Sequence, residues 1–194
     1  MVARLRRRIG IHYYHMLVRP LESASRVGAP PCGLAFGVLE QQDLLAYCTD
    51  PQFMMREAAV RAALAAGHVC IGAVDREGLA AYLWYSFDSA PHAVGVRVGI
   101  GPRVRYVYKV FVRPNSRGRG VARQLLARSA ELCPRRGREL GVSFVAPDNE
   151  PSLRAFAAAG WRRAGYAGYV NWLGRFRAFA SAGAARLGAG FSCA

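Results

Sequence analysis

Between Val110 and Ala122 the chain reads VFVRPNSRGRGVA, a β-branched and aromatic run, a proline, a glycine-containing loop and then the apolar spacing of a helix. A strand that turns through glycines into a helix aims successive backbone N–H groups, and the positive end of the helix dipole, at one spot. Glycine lets the main chain approach an anion closely, and Arg117 and Arg119 add positive charge beside Gly118 and Gly120. The chemistry implied is diphosphate binding. The segment is not a P-loop, because GxxxxGK[ST] is missing. It is not the dinucleotide fingerprint either, because Arg123 stands where the third glycine would be. The plain alternative for this loop alone is a turn that merely joins strand to helix.

The elements that must position this loop follow from periodicity. RYVYKVFVRP (105–114) is a strand ending at Pro114, and Gly118 to Gly137 has helical spacing through Val121, Leu125, Leu126 and Ala130. GVSFVAP (141–147) is a further strand, and Asn149 to Ala159 a short helix stopped by Gly160. Upstream, IHYYHMLV and LAFGVLE read as strands and QQDLLAYC as a short helix. Asp50-Pro51 opens a helix that closes at Gly67, and VCIGAVD with LAAYLWYSFD makes a hairpin. Residues 89–102 read as an irregular connection, 164–180 as a closing hairpin and 181–194 as a loose tail. This order gives an α+β chain with a mixed sheet. The expected organisation is a basic N-terminal extension over 1–27, one domain over 28–180 and the tail over 181–194.

Composition narrows the function classes. The chain has 194 residues, enough for one domain of ~150 residues and an appendage. It is 53% hydrophobic and 20% charged, which excludes a disordered or fibrous protein. No apolar run reaches the ~18 residues of a membrane span, and the N-terminus lacks the pattern of a secretion signal. The net charge is +15, and of 27 basic residues only Lys109 is Lys. Codon bias accounts for part of this arginine, while a basic field also steers anions. The leader, with Arg4, Arg6 to Arg8, His12, Tyr13, Tyr14 and His15, is a candidate contact for nucleic acid or anionic lipid, or a solvated flank with one added strand. Five cysteines (Cys32, Cys48, Cys70, Cys133, Cys193) without a CxxC pair give neither a zinc site nor a disulfide framework, so a reducing, cytoplasmic and bacterial setting is expected.

The stretch VRPNSRGRGVA resembles the acyl-CoA-binding motif V-x-P-x-x-[R/Q]-x-x-G-x-[G/A] of the GNAT acetyltransferase superfamily, at Val112, Pro114, Arg117, Gly120 and Ala122. VAPDNEPSLRAFAAAGW continues the likeness with Val145, Asn149, Ser152, Phe156, Gly160 and Trp161 at family spacing, and the resemblance covers residues 34–180. It implies a GNAT fold, a three-layer domain with a mixed sheet of about seven strands flanked by about four helices. It implies that Arg117, Gly118, Arg119, Gly120, Val121 and Ala122 hold the diphosphate of acetyl-CoA or another acyl-CoA. The backbone of Val110, Phe111 and Val112 would pair with the pantetheine arm like an added strand. Asn149, Ser152 and Phe156 would touch the co-substrate near that arm. A primary amine would attack the thioester directly, a backbone N–H near Val112 would stabilise the oxyanion, and no metal is called for.

The sequence departs from the family twice. Many members carry a tyrosine that protonates the leaving thiolate, where this chain has Phe156, which has no proton to give. Some carry a glutamate base on the motif strand, where this chain has Tyr106, and residues 105–114 hold no carboxylate. Asp88, His92, Tyr106 and Tyr108 are the candidates for acid–base work. The acceptor stays open between a small-molecule amine and a macromolecule (a protein amine or an aminoacyl-tRNA). A CoA-binding protein of this fold without turnover is the third possibility. A monomer or a homodimer is expected.

Overall fold

The computed structural model describes residues 10–22, 33–172 and 175–194. The arginines at positions 4 and 6–8, and Cys32, lie outside the described residues. Among these residues eleven strands and five helices follow in chain order: β1 (Ile11–Pro20), β2 (Ala35–Val38), α1 (Gln41–Tyr47), α2 (Glu57–Ala65), β3 (Val69–Asp75), β4 (Gly78–Ser86), β5 (Ser89–Ala93), β6 (Val96–Gly99), β7 (Val104–Val112), α3 (Val121–Leu132), β8 (Leu140–Val145), α4 (Glu150–Ala158), β9 (Arg162–Trp172), β10 (Arg175–Ala180), α5 (Ala182–Arg186) and β11 (Gly190–Cys193).

Eight strands form one sheet in the order β10-β9-β1-β8-β7-β4-β3-β2. Neighbours are antiparallel except β7 and β8, which run parallel. Side chains alternate across the pleat, so each strand feeds two cores. On one face Leu125 and Leu126 of α3 and Phe156 of α4 pack on Ile71, Leu83, Val107 and Val145. On the other, Leu44 of α1, Val60 of α2 and Phe53 pack on Cys70, Tyr82 and Trp84. Each fully buried leucine contributes ~2 kcal/mol by leaving water.

The structure corrects the sequence expectations at four places. Residues 11–20 are not an extension: β1 lies inside the sheet, between β8 and β9, with Met16 and Val18 buried. The helix expected from Asp50 is split. Asp50 does cap a turn, its Oδ1 accepting from the Gln52 amide, but that 3-10 turn ends at Met54, whose φ is 52°. A non-glycine residue in that region breaks the helix, and α2 starts anew after Arg56. Residues 89–102, expected to be irregular, contain β5 and β6. The loose tail is instead α5 and β11, and β11 pairs with β6 in a second, three-stranded sheet. The strand count is thus eight in the main sheet, against about seven expected.

The tail is ordered because it carries Phe191, 6% exposed, whose ring meets those of Tyr14, His92, Phe144 and Tyr169. Phe191→Ala should cost ~3 kcal/mol of stability. The midpoint of a urea unfolding curve checks this; a loose tail would leave it unmoved.

Candidate active site

The site is built on β7, which does three things along nine residues. At its start it pairs with β8 for only three positions, Val104↔Leu140, Arg105↔Gly141 and Tyr106↔Val142. The two strands then part, and the Ser143 hydroxyl donates to the Val107 carbonyl at 3.0 Å where they separate. Further on, Lys109 sits at φ 52° and neither it nor Val110 has a partner in the β4 register, where Leu83 stands opposite. The extra residue is a bulge. Its signature is that Val107 and Val110, three apart, both face the α3 core. Beyond it, Val112 leads into Arg113 and the loop.

Arg113 anchors that loop. Its guanidinium is buried, and it meets the carboxylates of Asp75 at 2.7 Å and Glu77 at 3.1 Å, with Nη1 donating to the Glu77 carbonyl at 3.2 Å. The β3–β4 turn therefore holds the loop's entry in place. Pro114–Ser116 form a 3-10 turn, and Gly118 and Gly120 follow at φ 73° and 75°. Gly120 is the N-cap of α3, and no side chain caps this helix. By contrast, Asn149 Oδ1 accepts from the Ser152 amide to cap α4, and the Ser181 hydroxyl caps α5. A Cβ added at Gly118 or Gly120 would meet nothing within 4 Å. The loop thus combines open space beside two glycines with a helix start that no side chain caps, the two features an anion site needs.

Two cavities meet at the opening between β7 and β8. The first, 580 Å³, lies over the loop and is lined by Val110, Phe111, Val112, Gly118, Gly120, Val121 and Ala122, with Arg117 at its edge. The Arg117 Nε donates to the Val112 carbonyl at 3.1 Å, so this side chain folds back across the loop. The second cavity, 450 Å³, fills the slot between the parted strands and is lined by Tyr14, His92, Tyr106, Tyr108, Ser143 and Phe144 among others. Asn149, Ser152 and Phe156 line both.

Of the candidate catalytic and co-substrate-binding residues named from the sequence, only Arg119 and Asp88 line neither cavity. Asp88 is exposed at the far end of β4, its carbonyl accepting from the Ile100 amide. Four site residues escaped sequence reasoning. Arg123 and Arg154 bring further positive charge to the loop cavity. Arg123 was legible: it lies on the first turn of α3 beside the glycines. Tyr14 belongs to β1, whose place in the sheet no local pattern reveals. His68, at the start of β3, holds the Tyr108 hydroxyl at 2.6 Å from Nδ1.

Electrostatics follow burial. Burial pushes the Tyr106 and Tyr108 hydroxyls well above the usual phenol range, so both stay protonated at neutral pH. His92 is pushed down to about 4, by burial first and by His12 second. Burial also lowers His15 and His68. All three are neutral near pH 7. The unfolded chain takes up their protons below about pH 6.5, so the stability these histidines contribute falls as the pH drops from there toward the folded-state value of about 4 for His92. The slope of unfolding free energy against pH measures this, and His92→Phe should flatten it; an unchanged slope would contradict the assignment.

A sheet whose two central parallel strands part beside a glycine loop at an uncapped helix defines an acetyltransferase-type α+β domain. The model of the acetyltransferase (GNAT) family matches residues 38–161, and the chain belongs to that family. Among solved structures it is similar to a GCN5-related N-acetyltransferase from Sphaerobacter thermophilus, at 15% identity and a TM-score of 0.56, over 85% of this chain and 53% of that one. It is also similar to AAC(6')-Iy, solved in complex with the bisubstrate analogue CoA-S-monomethyl-acetylneamine, at 20% identity and a TM-score of 0.53, over 67% of this chain and 91% of that one. Identities this low show the fold alone. The chain spans about half the length of the Sphaerobacter protein. A search of curated proteins finds no match. Among the described residues no helix is long and apolar enough to cross a membrane.

Proposed function

We propose that this protein transfers an acyl group, acetyl in the first place, from acyl-CoA to the primary amine of a small molecule. The observation that carries this is the opening of β7 from β8 past Tyr106 and Val142, directly beside the uncapped glycine turn of α3. The two cavities give one continuous run of lining residues from the loop to the slot through Val110, Asn149, Ser152 and Phe156.

The residues present fit acyl-CoA. The loop leaves open space beside Gly118 and Gly120, where the main-chain amides between Arg117 and Ala122 would meet a diphosphate, and Arg123 and Arg154 add charge to the same cavity. The backbone of Val110 to Val112 has no β8 partner, and this edge would bond an extended amide arm, with the Val112 carbonyl shared with Arg117. The bulge takes Lys109 and Val110 out of the β4 register, and a main-chain N–H released there would stabilise the thioester oxygen as it gains charge. Most of the acceleration would come from holding amine and thioester together in a dry slot. The slot lining has no carboxylate among the described residues and is rich in aromatic rings, so it favours an apolar or neutral amine over a polyamine.

The test is release of free thiol from acetyl-CoA in the presence of a panel of primary amines. Release that depends on the amine is expected. Tight binding of acetyl-CoA with no release for any amine would overturn the transfer step.

A further inference from the structure

The slot poses a problem that the family pattern does not solve. Phe156 cannot move a proton, β7 has no carboxylate, and an amine that attacks a thioester must still lose one. The titratable groups that line the slot are Tyr14, His92, Tyr106, Tyr108 and Lys109. Tyr108 has a basic atom in line behind its hydroxyl.

That atom is His68 Nδ1, 2.6 Å from the Tyr108 oxygen, with the two rings edge-on at 80°. The other ring nitrogen, Nε2, lies 3.0 Å from the carbonyl oxygen of Ser89. A carbonyl only accepts, so Nε2 carries the hydrogen and Nδ1 presents its lone pair. The Tyr108 hydroxyl therefore donates to Nδ1. His68 is 6% exposed, at the start of β3. Tyr108 lies next to the bulge and lines the slot. With Pro91 and Lys109 it also lines a third cavity, of 320 Å³, under α2.

We propose that Tyr108 and His68 form the proton relay of acyl transfer, supplying the base that the motif strand lacks. The inference rests on the acyl-transfer function proposed above. As the amine nitrogen bonds to the thioester carbon, its proton passes to the Tyr108 oxygen and the Tyr108 proton passes to His68 Nδ1. The C–S bond breaks, coenzyme A leaves as the thiolate, and the imidazolium keeps its Nε2–H bond to Ser89. The His68 proton then returns to the thiolate or to water, so the sum is amine plus thioester giving amide plus thiol.

The surroundings suit a base at neutral pH. Burial holds His68 below the usual imidazole range, and Arg97 of β6 adds to that, while the Ser89 carbonyl opposes it. The other charged or titratable groups facing this cavity are Tyr108 and Lys109 of β7. From α2 it receives only alanines and Val60. Nothing acidic in the cavity lining would hold the imidazole protonated before the reaction.

The test compares the full chain with His68→Gln and Tyr108→Phe. A glutamine side chain can accept from Tyr108 and donate to Ser89, so it keeps the positioning, but it cannot take up a proton. Binding of acetyl-CoA is measured by calorimetry. Thiol release is followed with primary amines and with a weakly basic hydrazide whose own ionisation lies below the pH range scanned. The expected result for His68→Gln is a kcat lower by about 100-fold with unchanged acetyl-CoA affinity and loss of the acid limb of the kcat profile. Tyr108→Phe should fall as far, and the double variant no further, because the two act as one unit. A His68→Gln protein with the original kcat and pH profile would overturn the relay and leave acyl transfer standing. A wild-type protein that releases no thiol with any amine would overturn both.

Discussion

Arg117→Glu combined with Gly120→Asp should lower the affinity for coenzyme A by about 100-fold, ~2.8 kcal/mol, without unfolding the protein. The loss has two parts. Charge reversal at Arg117 puts a carboxylate at the rim of the loop cavity, where phosphates would arrive. A carboxylate at the N-cap of α3 bonds the same amides that would bind phosphate, and so competes with it. The fold tolerates both changes. Arg117 is exposed, the added Cβ at Gly120 meets open space, and aspartate accepts a positive φ better than most residues. Arg119→Glu is the control, since that side chain lies outside both cavities; its effect should stay below about threefold, ~0.7 kcal/mol. Calorimetric titration with coenzyme A separates the two variants. Equal losses in both would mean that only the general basic field matters.

Arg105→Met should cost ~4 kcal/mol of stability and lower Tm by about 10 °C. Arg105 is fully buried on β7, with no carboxylate partner among the described residues. Its guanidinium donates to the carbonyls of Ala130 and Cys133 at 2.7 Å each and lies 4.5 Å from the centre of the Tyr85 ring. These are last-turn carbonyls of α3, the negative end of the helix dipole, so the helix itself balances the charge. Methionine fills the volume but leaves both carbonyls buried without a donor, at ~1–3 kcal/mol each. Arg105→Lys should recover part of the loss, because one ammonium reaches fewer carbonyls than a planar fork. A loss under about 1 kcal/mol for Arg105→Met, by urea unfolding, would show that water replaces the donor. The contact also matters for the site. One strand holds both ends of α3: Arg105 pins its C-terminus and the loop after Arg113 sets its N-terminus.

What was legible in the sequence was what is local. The run from Val110 to Ala122, the short helix from Asn149 and the strand over 105–114 each depend on residues a few positions apart. On that strand Tyr106 and Tyr108, two positions apart, share a face of the pleat with their rings stacked 5.8 Å apart. The bulge at Lys109 was not legible, because a positive φ at a lysine has no sequence signal of the kind glycine provides. The tail was missed because β11 has four residues and gains its burial from partners far away in the chain, Val98 in β6 and Tyr14 in β1. Arg105 read only as a strand residue, since its partners lie 25 to 29 positions away. His68 and Tyr108 are 40 positions apart, and only the sheet brings them together.

The central claim is that the glycine turn and the parted strands receive acyl-CoA, and a crystal structure with acetyl-CoA tests it most directly. The account predicts the diphosphate against the main-chain amides between Arg117 and Ala122, the pantetheine arm between β7 and β8, and the thioester beside Tyr108. Acetyl-CoA seated elsewhere on the molecule, with the slot between β7 and β8 left to solvent, would contradict it.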